Sequence, residues 1–211
     1  MTLKTLPLLC LTAVLATSTF VMAQDKKDEK PKEEPKKEKV VPAEIGKAAP
    51  LFELKTLEGK TVKLADYKGK IVVLEWFQPF CPYCDKGYNE GGNCRTTAEK
   101  MQKDGVVYLL VNSSNPKDDN SKLEANVEFF KSRKISETVL LDPDGKVGRA
   151  YGAKSTPHCM VIDAKGNLAY RGALDNLMEK DAKEKVNYVE TAVRELKADK
   201  PVTTKETSSY G

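Results

Sequence analysis

Apolar residues in this chain come in short dense runs divided by polar turn sequences, and the spacing within each run separates strands from helices. Ile71 to Phe77 and Val106 to Val111 are nearly continuous apolar stretches, the pattern of strands covered on both faces of a sheet, and they belong at its centre. Leu51 to Leu54 and Thr61 to Leu64 flank Glu58-Gly59 and read as a hairpin. Ser121-Lys122-Leu123-Glu124 has the form of a capping box, after which Leu123, Val127 and Phe130 share one helical face ending near Arg133. Val139 to Leu141 is a further strand closed by Asp142-Pro143-Asp144-Gly145. Cys159 to Ile162 and Leu168 to Arg171 straddle Asp163-Ala164-Lys165-Gly166-Asn167, a second hairpin. A helix is expected from about Asp181 to Lys197, with Val186, Val189, Val193 and Leu196 along one stripe. Strands alternating with helices, then a hairpin and a final helix, predict an α/β fold: a mixed central sheet flanked by helices, with an N-terminal β-hairpin extension.

The flanks differ from this core. Residues 1–23 carry one cation, Lys4, then an apolar stretch from Leu6 to Met22 and a small-residue site at Val21-Met22-Ala23, which reads as a bacterial Sec signal peptide. Cys10 follows Leu9 and lies too early for a lipoprotein site, and there is no twin-arginine pair. An uncleaved anchor is the alternative, opposed by the Thr and Ser positions and by the cleavage site. Lys26 to Lys39 contains only Lys, Asp, Glu and Pro, so residues 24–42 read as a disordered charged linker that buries too little apolar surface to offset the entropy of ordering. Residues 43–198 form the predicted domain, and 199–211 read as a flexible polar tail. The expected product is soluble after signal cleavage and periplasmic or otherwise extracytoplasmic.

With 35 basic and 31 acidic residues, the charge balance does not point to nucleic acid, and no basic-aromatic patch changes that. Loss of the signal would remove Cys10 and leave Cys81, Cys84, Cys94 and Cys159 in an oxidising compartment where disulfides persist. Cys81-Pro82-Tyr83-Cys84 follows directly on the apolar run that ends at Phe77. A cysteine at a helix N-terminus has its pKa lowered by unpaired N–H groups and by the helix dipole, and Cys81 is the candidate for that place. With only two residues between them, Cys84 can resolve a mixed disulfide formed at Cys81. The plainer readings are a structural disulfide or half of a zinc site, although Cys94 and Cys159 supply no second close pair.

A strand ending in Trp76-Phe77, a Cys-x-x-Cys opening a helix, and a later Thr156-Pro157 before a strand resemble the thioredoxin superfamily. Gly46-Lys47-Ala48-Ala49-Pro50-Leu51-Phe52, Gly59-Lys60 and Tyr67-Lys68-Gly69-Lys70 are similar to its redoxin branch, the AhpC/TSA-like or peroxiredoxin-like exported thiol-disulfide oxidoreductases. The stretch Asp142 to Asp175 resembles a bacterial subgroup whose members often keep only the first active-site cysteine; this chain has both. The resemblance covers about Ile45 to Asn176. It implies a thioredoxin-like fold, Cys81 as attacking thiol and Cys84 as resolving thiol. It further implies a cis-proline at Pro157 that sets the Thr156 backbone beside the disulfide, with Trp76 at the substrate side. Glu75 takes the place of the buried acid near the resolving thiol; a carboxylate in an apolar strand is costly unless neutral or paired, so burial is expected to raise its pKa and fit it to relay the Cys84 proton. The alternative is a solvent-facing acid at a strand end. The implied partners are protein disulfide or dithiol clients and an unidentified electron donor or acceptor, with no cofactor. The dipeptide Pro82-Tyr83 is that of glutaredoxins and suggests a potential of roughly −230 to −180 mV rather than about −270 mV.

Asn89-Glu90-Gly91-Gly92-Asn93 departs from the family pattern and breaks the helix after Cys84, so a second helix is expected from about Cys94. Cys94 and Cys159 are also additions; a second disulfide, an auxiliary resolving thiol at Cys94 and two buried free thiols all remain open. Two other activities compete on the same residues. Peroxidase chemistry lacks its sequence pattern, since Gln78 and Leu74 stand where Thr or Ser and Pro are required before Cys81, leaving weak thiol peroxidase turnover at most. Copper binding or delivery would use Cys81, Cys84 and His158, a soft two-thiolate, one-imidazole set suited to Cu(I).

Overall fold

The computed structural model describes residues 41–115, 117, 123–179 and 181–211; the signal, Cys10, most of the charged linker and the Ser121-Lys122 half of the capping box lie outside them. The apolar runs at 71–77 and 106–111 become β3 (Val72–Trp76) and β4 (Val107–Asn112), which pair in parallel. The other strands are β1 (Glu53–Thr56), β2 (Thr61–Lys63), β5 (Thr138–Leu141), β6 (His158–Ile162) and β7 (Leu168–Gly172). They form one mixed sheet in the order β2-β1-β5-β4-β3-β6-β7. All five residues of β3 are buried, as are all five of β6, its antiparallel neighbour. Five helices are described: α1 (Pro82–Tyr88), α2 (Asn93–Lys103), α3 (Leu123–Ser132), α4 (Lys146–Tyr151) and α5 (Tyr188–Lys197).

Side chains alternate across the sheet and build two cores. Val73 and Phe77 of the β3 run, Tyr108 and Leu110, Cys159 and Val161 belong to the core that holds Cys81, Cys84, Phe129, Phe130, Val189 and Val193. Val72, Leu74 and Trp76 belong to the other, with Phe52, Leu64, Met160 and Tyr151.

Several elements depart from the sequence pattern. The first hairpin sits about two residues later than the apolar pattern placed its first strand, and Leu64 opens a 3-10 turn (Leu64–Tyr67) instead of closing β2. In α3 the buried residues are Asn126, Phe129 and Phe130, while Leu123 is exposed; burying the Phe pair turns the helix off the predicted stripe. Helix α4, directly after the Asp142–Gly145 turn, has no counterpart in the sequence pattern, because six residues carry too little periodicity to register. Its start is built by Asp142, whose carboxylate accepts from the N–H groups of Val147 (3.2 Å) and Gly148 (2.8 Å). The last helix begins at Tyr188 instead of Asp181. Asn187 caps it, accepting from Glu190 N–H at 2.9 Å, and Asn176 holds the preceding segment open through Glu184 O and Val186 N–H, both at 2.8 Å.

The 201–211 segment, composed like a loose tail, is anchored on β7 through residues 205–207. Val202 is buried in the first core. Arg171 N–H donates to Lys205 O (3.0 Å), Thr207 N–H donates to Arg171 O (3.1 Å), and the Arg171 guanidinium pairs with Glu206 at 2.7 Å. These contacts cover the open edge of β7, whose unpaired backbone groups composition alone cannot reveal.

Candidate active site

Cys81 is the residue that caps α1. Its carbonyl accepts the Asp85 N–H at 2.8 Å, and Pro82 occupies the first helical position, where a missing N–H costs nothing. The helix ends at Asn89, as the Gly91-Gly92 break predicts. Two close approaches explain the glycines there. A Cβ on Gly92 would fall 2.2 Å from Gly87 O, and one on Gly87 would fall 2.4 Å from Cys94 Sγ. The break thus folds α2 back onto α1 and packs Cys94 against it.

The Thr156-Pro157 peptide bond is cis, and Thr156 O lies 2.9 Å from Cys81 Sγ, which donates to it as a thiol. Ionisation of Cys81 is favoured by the adjacent Cys84 thiol, by the Thr156 side chain and by the N–H groups of Cys84 and Tyr83; against the cost of burial these set its pKa at about 5. Cys84 is driven the opposite way. Burial, the neighbouring Cys81 and the charge of Glu75 raise its pKa far above that of an ordinary thiol. The chain therefore holds one thiol ready to ionise and one held protonated, one helical turn apart.

Glu75 is fully buried. Its Oε2 accepts hydroxyl bonds from Tyr88 and Tyr108, each at 2.7 Å, while Oε1 is left without a well-formed hydrogen bond. Burial lifts its pKa to about 7, against the pull of Tyr108, Tyr88 and Cys94 toward the carboxylate. Cys159 stands directly opposite it on β6. All four described cysteines are free thiols, and burial with the Glu75 charge raises the pKa of both Cys94 and Cys159.

Trp76, next along β3, points to the other side of the sheet. It is 3% exposed, and its indole N–H donates to Ser113 Oγ at 3.0 Å, which in turn donates to Asp142 at 2.6 Å. Trp76 and Thr156 share the wall of a cavity of about 470 Å³ with Ser113, Arg149, Ser155 and Gly211. The structure thus brings Cys81, Cys84 and Thr156-Pro157 together, sets Glu75 beneath them and Trp76 along the adjoining cavity.

The copper set is not assembled. His158 alternates with Cys159 and falls on the Trp76 side, where its Nδ1 accepts from Lys154 N–H at 3.2 Å. Burial and the charges of Arg171 and Lys154 hold its pKa down at about 4. Among the described residues no group of three His, Cys, Asp or Glu side chains is placed to hold a metal ion. Sequence reasoning missed Tyr88 and Tyr108. A signal existed for both: Tyr88 lies one helical turn after Cys84, and Tyr108 is the hydroxyl-bearing residue of an otherwise apolar run, on the same face as Glu75.

The model of the AhpC/TSA family matches residues 45–171. The chain belongs to that family. Thiol-disulfide oxidoreductase ResA of Geobacillus thermodenitrificans (strain NG80-2) is 33% identical over 125 residues, which is 59% of this chain and 66% of that protein's length. Among solved structures, a hypothetical protein from Sinorhizobium meliloti 1021 superposes with a TM-score of 0.70 at 22% identity, covering 81% of this chain and 93% of its own. A conserved protein from Geobacillus kaustophilus gives 0.69 at 24%, covering 79% and 88%. The fold of this AhpC/TSA member is thioredoxin-like, a mixed sheet between helical layers.

Proposed function

We propose that the chain is an extracytoplasmic thiol-disulfide oxidoreductase that exchanges disulfides with protein thiols through Cys81 and Cys84. The observation that carries this reading is the opposed protonation of the two thiols: Cys81, 2.9 Å from the Thr156 carbonyl, is set at about 5, and Cys84, buried behind it, is pushed up. The ResA relatives are named for the same chemistry, and the sequence of residues 1–23 supports export.

In the reducing direction the Cys81 thiolate attacks one sulfur of a client disulfide. That S–S bond breaks, a Cys81–client bond forms, and the departing client sulfur takes a proton. Cys84 then gives up its proton and attacks Cys81 Sγ, closing the Cys81–Cys84 disulfide and releasing the second client thiol. The client gains two electrons and the dithiol loses them; the reverse sequence oxidises a client. Glu75, poised at about 7, is the positioning acid that receives the Cys84 proton and returns it on the way back. Thr156 and Pro157 offer backbone to an extended client segment, and Trp76 bounds the cavity beside them. A separate electron donor or acceptor resets the pair.

Equilibration against glutathione ratios, with mass spectrometry of the cysteine pairing, tests the reading. A reversible Cys81–Cys84 couple is expected. A potential below about −250 mV assigns the chain to client reduction, and one above about −180 mV to oxidation or isomerisation. A pair that never cycles overturns the function.

A further inference from the structure

The surface beside Cys81 is occupied by the chain itself. Residues 205–207 are anchored on β7 by backbone pairs, by the Arg171–Glu206 ion pair and by Thr207, whose Oγ1 lies 2.6 Å from the Tyr170 hydroxyl and accepts from Ala173 N–H at 2.9 Å. Beyond this anchor the segment crosses to the cysteine motif. Ser155 Oγ lies 2.8 Å from Ser209 Oγ and 3.4 Å from Tyr210 O. The Tyr210 ring packs against Tyr83, between the two cysteines, with ring centres 5.9 Å apart, and its hydroxyl donates to Asp175 at 2.8 Å. Gly211 rests on the Thr156 peptide so closely that a Cβ there would be 2.0 Å from Thr156 O, the atom that accepts from Cys81.

Any extended client that pairs with the Thr156 backbone while its disulfide faces Cys81 needs the space that Tyr210 and Gly211 fill. We propose that residues 209–211 are an intramolecular competitor seated in the client groove, displaced by a client whose own segment presents an aromatic residue followed by a small one. The hold is graded in a way that fits displacement. Residues 205–207 are paired to β7, whereas among the described residues the backbone of 208–211 has no backbone hydrogen-bond partner and is held by side chains and stacking. Cys81, the proposed nucleophile, is only 8% exposed with the segment in place. Tyr210 mimics a client aromatic on Tyr83, and the absence of a side chain at 211 lets the backbone approach Thr156.

This inference rests on the oxidoreductase reading, and its test separates the two. The full chain, a variant lacking residues 209–211 and Tyr210→Ala are compared in two measurements: alkylation of Cys81 by a bulky maleimide, and exchange with a peptide containing one intramolecular disulfide. Removal of 209–211 leaves the β7 anchor intact and is expected to raise both rates about tenfold, as for a site open about one tenth of the time. Tyr210→Ala is expected to give a smaller rise, and addition of a synthetic peptide spanning residues 205–211 to slow the shortened chain again. Unchanged or lower rates in the shortened chain, with its circular dichroism preserved, overturn the proposal. A rise in alkylation with no peptide exchange by any variant overturns the oxidoreductase reading itself, and the client groove with it.

Discussion

Glu75 and His158 sit on opposite faces of the same central strand pair, both buried, and they respond to burial in opposite directions. The acid is pushed up to about 7 and the imidazole down to about 4, because each face disfavours the charged form. The difference lies in what surrounds them. Glu75 has two tyrosine hydroxyls and three thiols around it, with one carboxyl oxygen lacking a formed bond, so its ionisation stays within reach of neutral pH. His158 has the cations Arg171 and Lys154 beside it, which reinforce burial and leave it neutral throughout the ordinary range. One face of the sheet therefore carries an acid that titrates near neutrality; the other holds a neutral ring and a tryptophan hydrogen-bonded through Ser113 to Asp142.

The largest effect expected across this divide is on turnover. Cys81→Ser should abolish disulfide exchange and Cys84→Ser should trap mixed disulfides detectable by mass spectrometry, while Trp76→Phe, on the opposite face, should raise KM more than it lowers kcat. Equal kcat losses from both faces would break the division.

Next comes Glu75→Gln. A folded pKa of about 7, against an ordinary carboxylate value of 4.5, means that the native state prefers the protonated acid; this advantage is full below pH 4.5 and is lost as pH rises through 7. The amide should thus make the protein more stable than wild type above pH 7, by up to roughly 3 kcal/mol, with the gap closing toward pH 5 in denaturant titrations. The same variant should remove any inflection near 7 from the exchange rate. An exchange profile unchanged by the amide would remove the relay role.

The imidazole has the opposite sign. A folded pKa of about 4, below the ordinary imidazole value of 6.5, contributes stability that is complete above 6.5 and lost as pH falls toward 4. His158→Gln should therefore flatten the acid side of the stability curve, by up to roughly 3 kcal/mol at pH 4. The smallest effect is expected from Ser113→Ala, about 1 kcal/mol for the broken chain between Trp76 and Asp142, with a shift in tryptophan emission.

Much of this arrangement was legible in the chain. Two apolar runs placed β3 and β4, the Gly91-Gly92 break divided α1 from α2, and a carboxylate six residues before Cys81 stood out because apolar strands rarely carry one. Each is a local signal, produced by the period of a strand, the conformational needs of a turn or the cost of a buried charge. Helix α4 and the start of α5 were not legible, since Asp142 and Asn187 set them through caps that override a weak or misleading periodicity. His158 shows the same limit within the site: its neighbour in sequence to Pro157 suggested a ligand, but alternation along β6 turns it away from both cysteines.

The sequence by itself determined the alternation of strands and helices, the dithiol at the head of a helix and the acid in the strand before it, because those depend on neighbours a few residues apart. Only the tertiary structure decided which face each buried group occupies, which tyrosines meet Glu75, and that residues 205–211 close the β7 edge and reach Thr156. Those contacts join positions as distant as Thr156 and Gly211, and they form only because sheet register and packing bring together groups that no local pattern connects.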